Sequence, residues 1–151
     1  MGLRRRSREK TLQILYSMEF HNCSVEEAVE MYLTYFNINP LRDYESEPPE
    51  EENVFIRYLL NAVRENIVVI EELIEEAATN WRIDRIAFIE RNILRMSVAE
   101  LYDEHNGVPF KATINEAIDI AKKFGSKESS SFVNGIINKV ADIIDVKNKK
   151  L

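Results

Sequence analysis

Residues 114–140 read "INEAIDIAKKFGSKESSSFVNGIINKV". Just ahead of them, Thr113 stands three residues before Glu116, the spacing of a capping box in which each side chain satisfies a free amide of the first turn. That spacing predicts a helix opening at Thr113 and closing at Gly125, a residue favoured just past a helix end. A second helix is expected to begin among Ser129 to Ser131. It carries Phe132, Val133, Ile136, Val140, Ile143 and Ile144 as its apolar side.

The same character extends upstream. A helix is expected from about Asp84 through Ile86, Ile89, Ile93, Met96 and Leu101, stopping at "HNGVP", residues 105–109. Before it, one long helical stretch is expected from about Asn53 to Thr79, with Phe55, Tyr58, Leu59, Ala62, Val69, Leu73 and Ala77 on its apolar side. "DYESEPPEEEN", residues 43–53, is acidic and rich in helix breakers, so it reads as a surface loop between two helical halves. Ahead of that loop, Ser24 and Glu27 form another capping box. Val25, Ala28, Val29, Tyr32, Tyr35 and Phe36 follow as a buried face, and Pro40 ends the helix. In the first helix Leu12, Ile14, Leu15 and Met18 lie on one side, and Arg6, Lys10, Gln13 and Ser17 on the other. Between them runs the stripe Arg5, Glu9, Leu12 and Tyr16. The result is an all-α chain of about six to seven helices with no convincing strand, in keeping with only four glycines and four prolines.

A length of 151 residues suits one compact domain, here 1–151. Two sub-bundles are expected within it, about 1–80 and about 81–151. The chain is 45% apolar and 30% charged, a globular composition. No apolar run approaches the length of a membrane span. The N-terminal arginines have no apolar segment behind them, so they do not read as a secretory signal. Cys23 is the only cysteine, which excludes an internal disulfide and fits a cytoplasmic location.

Catalytic chemistry is sparse. His21 and Cys23 fall short of a zinc set, and no phosphate-cradling glycine loop or nucleophile elbow occurs. Adjacent carboxylates such as Glu75 and Glu76 suit a solvated face. Charge is distributed less evenly. The chain carries a net charge of −6, yet it opens with Arg4, Arg5, Arg6, Arg8 and Lys10. The N-terminus of a helix favours acids and disfavours arginines, so this cluster calls for an anionic partner. Arginine forks match phosphate oxygens, and Tyr16 on the flank of the cluster suits stacking on an unpaired base. Two plainer readings stand beside that one. The basic arm is solvated, or it rests against the acidic segment from Glu45 to Glu52. Tyr16 likewise suits a half-buried core position.

Three stretches together, "RRRSREKTLQILYSMEF" (4–20), "ERNILRMSVAEL" (90–101) and the opening 114–140 segment, resemble the NusB family of bacterial transcription antitermination factors. The resemblance runs over nearly the whole chain and implies two packed helical bundles in one NusB-like domain. It also implies binding of the single-stranded boxA element of nascent RNA together with NusE, a small-subunit ribosomal protein. That pair joins an RNA polymerase complex with other Nus factors. No cofactor is implied, and the free protein is expected as a monomer or a homodimer.

Residue by residue, Arg4, Arg5, Arg6 and Arg8 match the family's arginine-rich RNA-binding motif, with Lys10 extending it, and Tyr16 matches its tyrosine. Glu128, Phe132 and Asn134 fall on the segment that borders the RNA. Phe132 and Gly135 equally suit close helix packing. Glu90 and Arg91 lie on the helix expected to face NusE. The chain departs from the pattern at Ala77 and Ala78, where some relatives carry an RNA-contacting aromatic; Trp81 is the nearby substitute. Two other readings remain: a fragment of an RNA cytosine methyltransferase with a NusB-like N-terminal part, which the ending "DVKNKKL" leaves no room to complete, or a helical adaptor that binds protein only.

Overall fold

The computed structural model describes residues 2–38, 49–79 and 81–149. They form seven α-helices: α1 (Leu3–Met18), α2 (Val25–Ile38), α3 (Glu50–Glu65), α4 (Ile67–Ala77), α5 (Phe88–Tyr102), α6 (Phe110–Phe124) and α7 (Lys127–Lys149). A single 3-10 turn, Ile83–Arg85, precedes α5. No strand occurs among the described residues, and none of their helices is long and apolar enough to cross a membrane. The chain divides into two compact units, Met1–Asn61 and Ala62–Leu151. The division falls inside α3, whereas the sequence expectation set it near residue 80.

The first unit is built on Leu12, Ile14 and Leu15 of α1, Val25, Ala28 and Val29 of α2, and Ile56, Leu59 and Leu60 of α3, all buried. The capping box at the start of α2 forms as its spacing requires. The Glu27 amide donates to Ser24 Oγ at 3.1 Å, and the Ser24 amide donates to Glu27 Oε1 at 3.4 Å. Tyr35 does not join the buried face; it is 63% exposed. Pro40 and the side chain of Phe36 lie outside the described residues. The acidic loop is shorter than expected at its C-terminal end. α3 opens with Glu50, Glu51 and Glu52 in its first turn, where carboxylates meet the positive end of the helix dipole.

The second unit packs α4, α5, α6 and α7 against one another. Its centre is Ile70, Ile74, Ile93, Leu94, Met96, Val98, Ile120, Ile137 and Val140, each fully buried. Burying each such side chain contributes ~1.5–3 kcal/mol. The Arg95–Glu71 ion pair between α5 and α4, at 2.8 Å, is partly exposed and contributes ~0–1 kcal/mol. Apolar burial therefore sets most of the stability.

The expected helix from Asn53 to Thr79 is two helices. Asn66 leaves helical geometry at φ −115° and ψ 19°, and its side-chain amide donates to the Ala62 carbonyl at 3.0 Å. This is local competition with the backbone ladder of a kind asparagine favours. Beyond the break, Leu73 and Ala77 are buried as expected together with Ile70 and Ile74, and Val69 is left 36% exposed.

The Thr113–Glu116 capping box is not the start of α6. That helix begins at Phe110 behind Pro109, and Thr113 is buried within it. α7 likewise starts at Lys127, earlier than Ser129, because Ser126 Oγ accepts the Ser129 amide at 3.1 Å. Gly125 is needed here for space. A Cβ there would stand 2.7 Å from Ser129 Cβ and 2.8 Å from Ser129 Oγ. Gly135, by contrast, would place a Cβ in open space, so close packing does not account for it. Gly107 in the turn before α6 has φ +72°, which glycine adopts without steric cost.

Candidate nucleic-acid interface

α1 begins with no side-chain cap on Gly2 and no acid in its first turn. The arginines therefore occupy an end of the helix that already carries partial positive charge. The structure assigns them different surroundings. Arg4 is exposed, and its guanidinium lies 5.4 Å from the centre of the Phe55 ring. Arg8 lies at the same distance from that ring but is only 4% exposed, so it packs within the first unit. Arg5 is half-buried. Arg6 Nε stands 3.6 Å from Glu52 Oε2, and Lys10 Nζ pairs with Glu52 Oε1. The Glu52 side chain is 1% exposed. Among the described residues, Lys10 and Arg6 thus meet Glu52 of the acidic segment, in line with one of the plainer readings, while Arg4 stays at the surface.

Glu52 also acts on Tyr32 of α2. Burial, and then the nearby Glu52 charge, push the Tyr32 phenol from 10.0 up to about 12. The neutral phenol is favoured in the fold, so this contribution to stability is fully present below pH 10. It is lost as the pH rises toward 12. Titration followed by tyrosinate absorbance should show an ionisation near pH 12 that is missing in Tyr32→Phe.

Tyr16 is 43% exposed. Its ring meets Phe20 edge-on, with centroids 5.4 Å apart and planes at 61°. The stripe Arg5, Glu9, Leu12, Tyr16 is not a single surface, because Leu12 is buried and Tyr16 emerges beyond it. Sequence reasoning reached Glu52 only as the end of an acidic segment, and it missed Phe55. Their distance along the chain hides them from any local pattern.

The second unit brings four of the other candidates, Trp81, Glu90, Glu128 and Phe132, to a shallow hollow of about 290 Å³ that Arg85, Ile86, Ala87 and Ser129 also line; Arg91 and Asn134 are not part of its lining. Trp81 is 54% exposed, Glu128 is exposed and Phe132 half-buried. Ser129 Oγ donates to Glu90 Oε1 at 2.6 Å, which ties α7 to α5. Arg91 lies with its guanidinium 4.6 Å from the Phe88 ring centre and reaches the Ile83 and Ile86 carbonyls at 3.4 Å each. It therefore braces the 3-10 turn. Asn134 is exposed, and its carbonyl and side-chain oxygens accept from Asn138 Nδ2 at 2.8 and 2.7 Å. Ala77 and Ala78 are buried.

Comparison with known proteins bears on these surfaces. The model of the NusB family matches residues 5–142. The transcription antitermination protein NusB of Myxococcus xanthus is 39% identical over 141 residues, which are 93% of this chain and 96% of the relative. The solved structure of T. maritima NusB superposes with a TM-score of 0.77 at 30% identity, covering 92% of this chain and 90% of that one. A crystal structure of antitermination factors NusB and NusE in complex with dsRNA aligns with a TM-score of 0.77 at 22% identity, covering 95% and 98%, and supports the fold.

Proposed function

This chain belongs to the NusB family, and we propose that it binds single-stranded boxA RNA together with the ribosomal protein NusE. It acts in the cytoplasm in transcription antitermination, within an RNA polymerase complex that holds other Nus factors. It is a binding factor and not a catalyst. The relatives support the class of function. The observation that carries the RNA part is on α1: a helix end crowded with arginine and free of acid, followed by a tyrosine ring open to solvent. Arg5 and Tyr16 are eleven residues apart, about 16 Å along a helix. Phosphate attraction and base stacking are thus spaced along one element. An exposed ring suits an unpaired base, which a single strand offers and a duplex hides.

In the second unit, Phe132 and Trp81 are proposed to extend the RNA surface, with Glu128 and Asn134 offering polar groups to base edges. Glu90 and Arg91 are proposed to face NusE from α5.

The test is the salt dependence of binding to a boxA oligonucleotide. Each phosphate neutralised contributes about −0.7 to the logarithmic slope for a single strand. Arg4→Ala with Arg5→Ala should make the slope shallower by about 1.4 if each residue meets one phosphate. Arg8 is left intact in this variant, because it is buried and its truncation would probe folding. An unchanged slope, with the helical circular dichroism intact, would place the phosphate contacts elsewhere.

A further inference from the structure

We propose that Glu52 is a positioning residue, a buried internal counter-anion that keeps Lys10 out of the phosphate contacts and uses it to fix α1 on α3. The inference rests on the RNA-binding reading above and concerns which cations of the basic stretch the RNA can use.

The sequence presents Lys10 as the last member of one basic run. The structure separates it from that run. Lys10 Nζ pairs with Glu52 Oε1, and the lysine side chain is 22% exposed against 1% for the glutamate. Arg6 approaches the second oxygen of the same carboxylate at 3.6 Å and is 40% exposed. An RNA phosphate that drew Lys10 away would leave a carboxylate buried without its closest cation. Removing one partner of a buried pair costs far more than an exposed pair contributes. The competition between carboxylate and phosphate therefore favours the carboxylate most strongly at Lys10, and less so at Arg6, which is longer in contact and more open. Burial, and then the same carboxylate, raise the Tyr32 phenol, so the Glu52 charge is also felt on α2.

The measurement is the slope of binding against salt for a boxA oligonucleotide, with melting temperature recorded in parallel. Lys10→Ala in the otherwise native chain should leave the slope unchanged and lower the melting temperature. Glu52→Gln should steepen the slope by about 0.7 for each cation released. Adding Lys10→Ala to Glu52→Gln should then make it shallower again. A merely structural pair would move the melting temperature but not the slope in the Glu52→Gln background. If Glu52→Gln does not fold, the Lys10→Ala comparison decides alone. A slope made shallower by about 0.7 in that single variant overturns the inference and leaves the RNA-binding reading standing. Absence of binding by the native chain overturns both.

Discussion

Tyr16→Ala is expected to weaken binding to a boxA oligonucleotide by roughly 5- to 150-fold, the equivalent of one lost base stack at ~1–3 kcal/mol. Tyr16→Phe should retain most of the affinity, because the ring and not the hydroxyl carries the stack. Two observations separate this from an effect on folding. Tyr16 is 43% exposed, while Leu12, Ile14 and Leu15 of the same helix are buried. Its ring contact is with Phe20, which is itself 58% exposed, so the pair lies at the surface. Losing that edge contact removes ~0.5–1.5 kcal/mol beyond the ring's own burial, which lowers the melting temperature by only a few degrees. A core tyrosine behaves in the opposite way: its truncation lowers the melting temperature strongly and leaves affinity per folded molecule alone. Affinity and melting temperature measured on one preparation of each variant decide between the two, and intact RNA binding by Tyr16→Ala would remove the stack from the proposed interface.

The sequence carried the fold class and most helices because apolar spacing reports burial directly. It carried the Ser24–Glu27 cap because that interaction is local and both ends are exposed. The identical spacing at Thr113 and Glu116 misled, since Pro109 had already started the helix a turn earlier and Thr113 was drawn into the core. The break at Asn66 was illegible for a related reason: apolar residues continue on both sides of it, and the end of α3 is marked by the Asn66 backbone angles and the bond from its side chain to the Ala62 carbonyl. The arginine motif was legible as charge. What could not be read was how that charge is apportioned. Lys10 and Glu52 are 42 residues apart, and so are brought together by packing that no periodicity encodes. Arg8 looked equivalent to Arg4, and both lie over the Phe55 ring, yet Arg8 is buried and Arg4, in the first turn of α1, is exposed.

That apportioning bears on the partner. Arg8 packs within the first unit, Lys10 and Arg6 meet Glu52, and the chain as a whole carries a net charge of −6. An acidic body keeps non-specific attraction to polyanions weak, and an interface resting on few phosphate contacts gains little from counterion release, so it binds weakly and with a shallow salt dependence. Ala77 and Ala78 are buried and add no aromatic surface, although Trp81 nearby is exposed. Strong binding therefore calls for a second protein that extends the RNA surface, and the proposed partner is NusE. The expected result is a coupling of ~1–3 kcal/mol, so that NusE tightens RNA binding by about 5- to 150-fold. Linkage requires RNA to tighten NusE binding by the same factor. Calorimetry on all four legs of the cycle, at one salt concentration, tests both the size and the reciprocity. If RNA binds the chain equally well with and without NusE, the cooperative complex is ruled out and the chain reads its RNA alone. If the two factors agree and exceed fivefold, the modest cation supply of α1 is explained: specificity is completed only where both proteins meet the same strand.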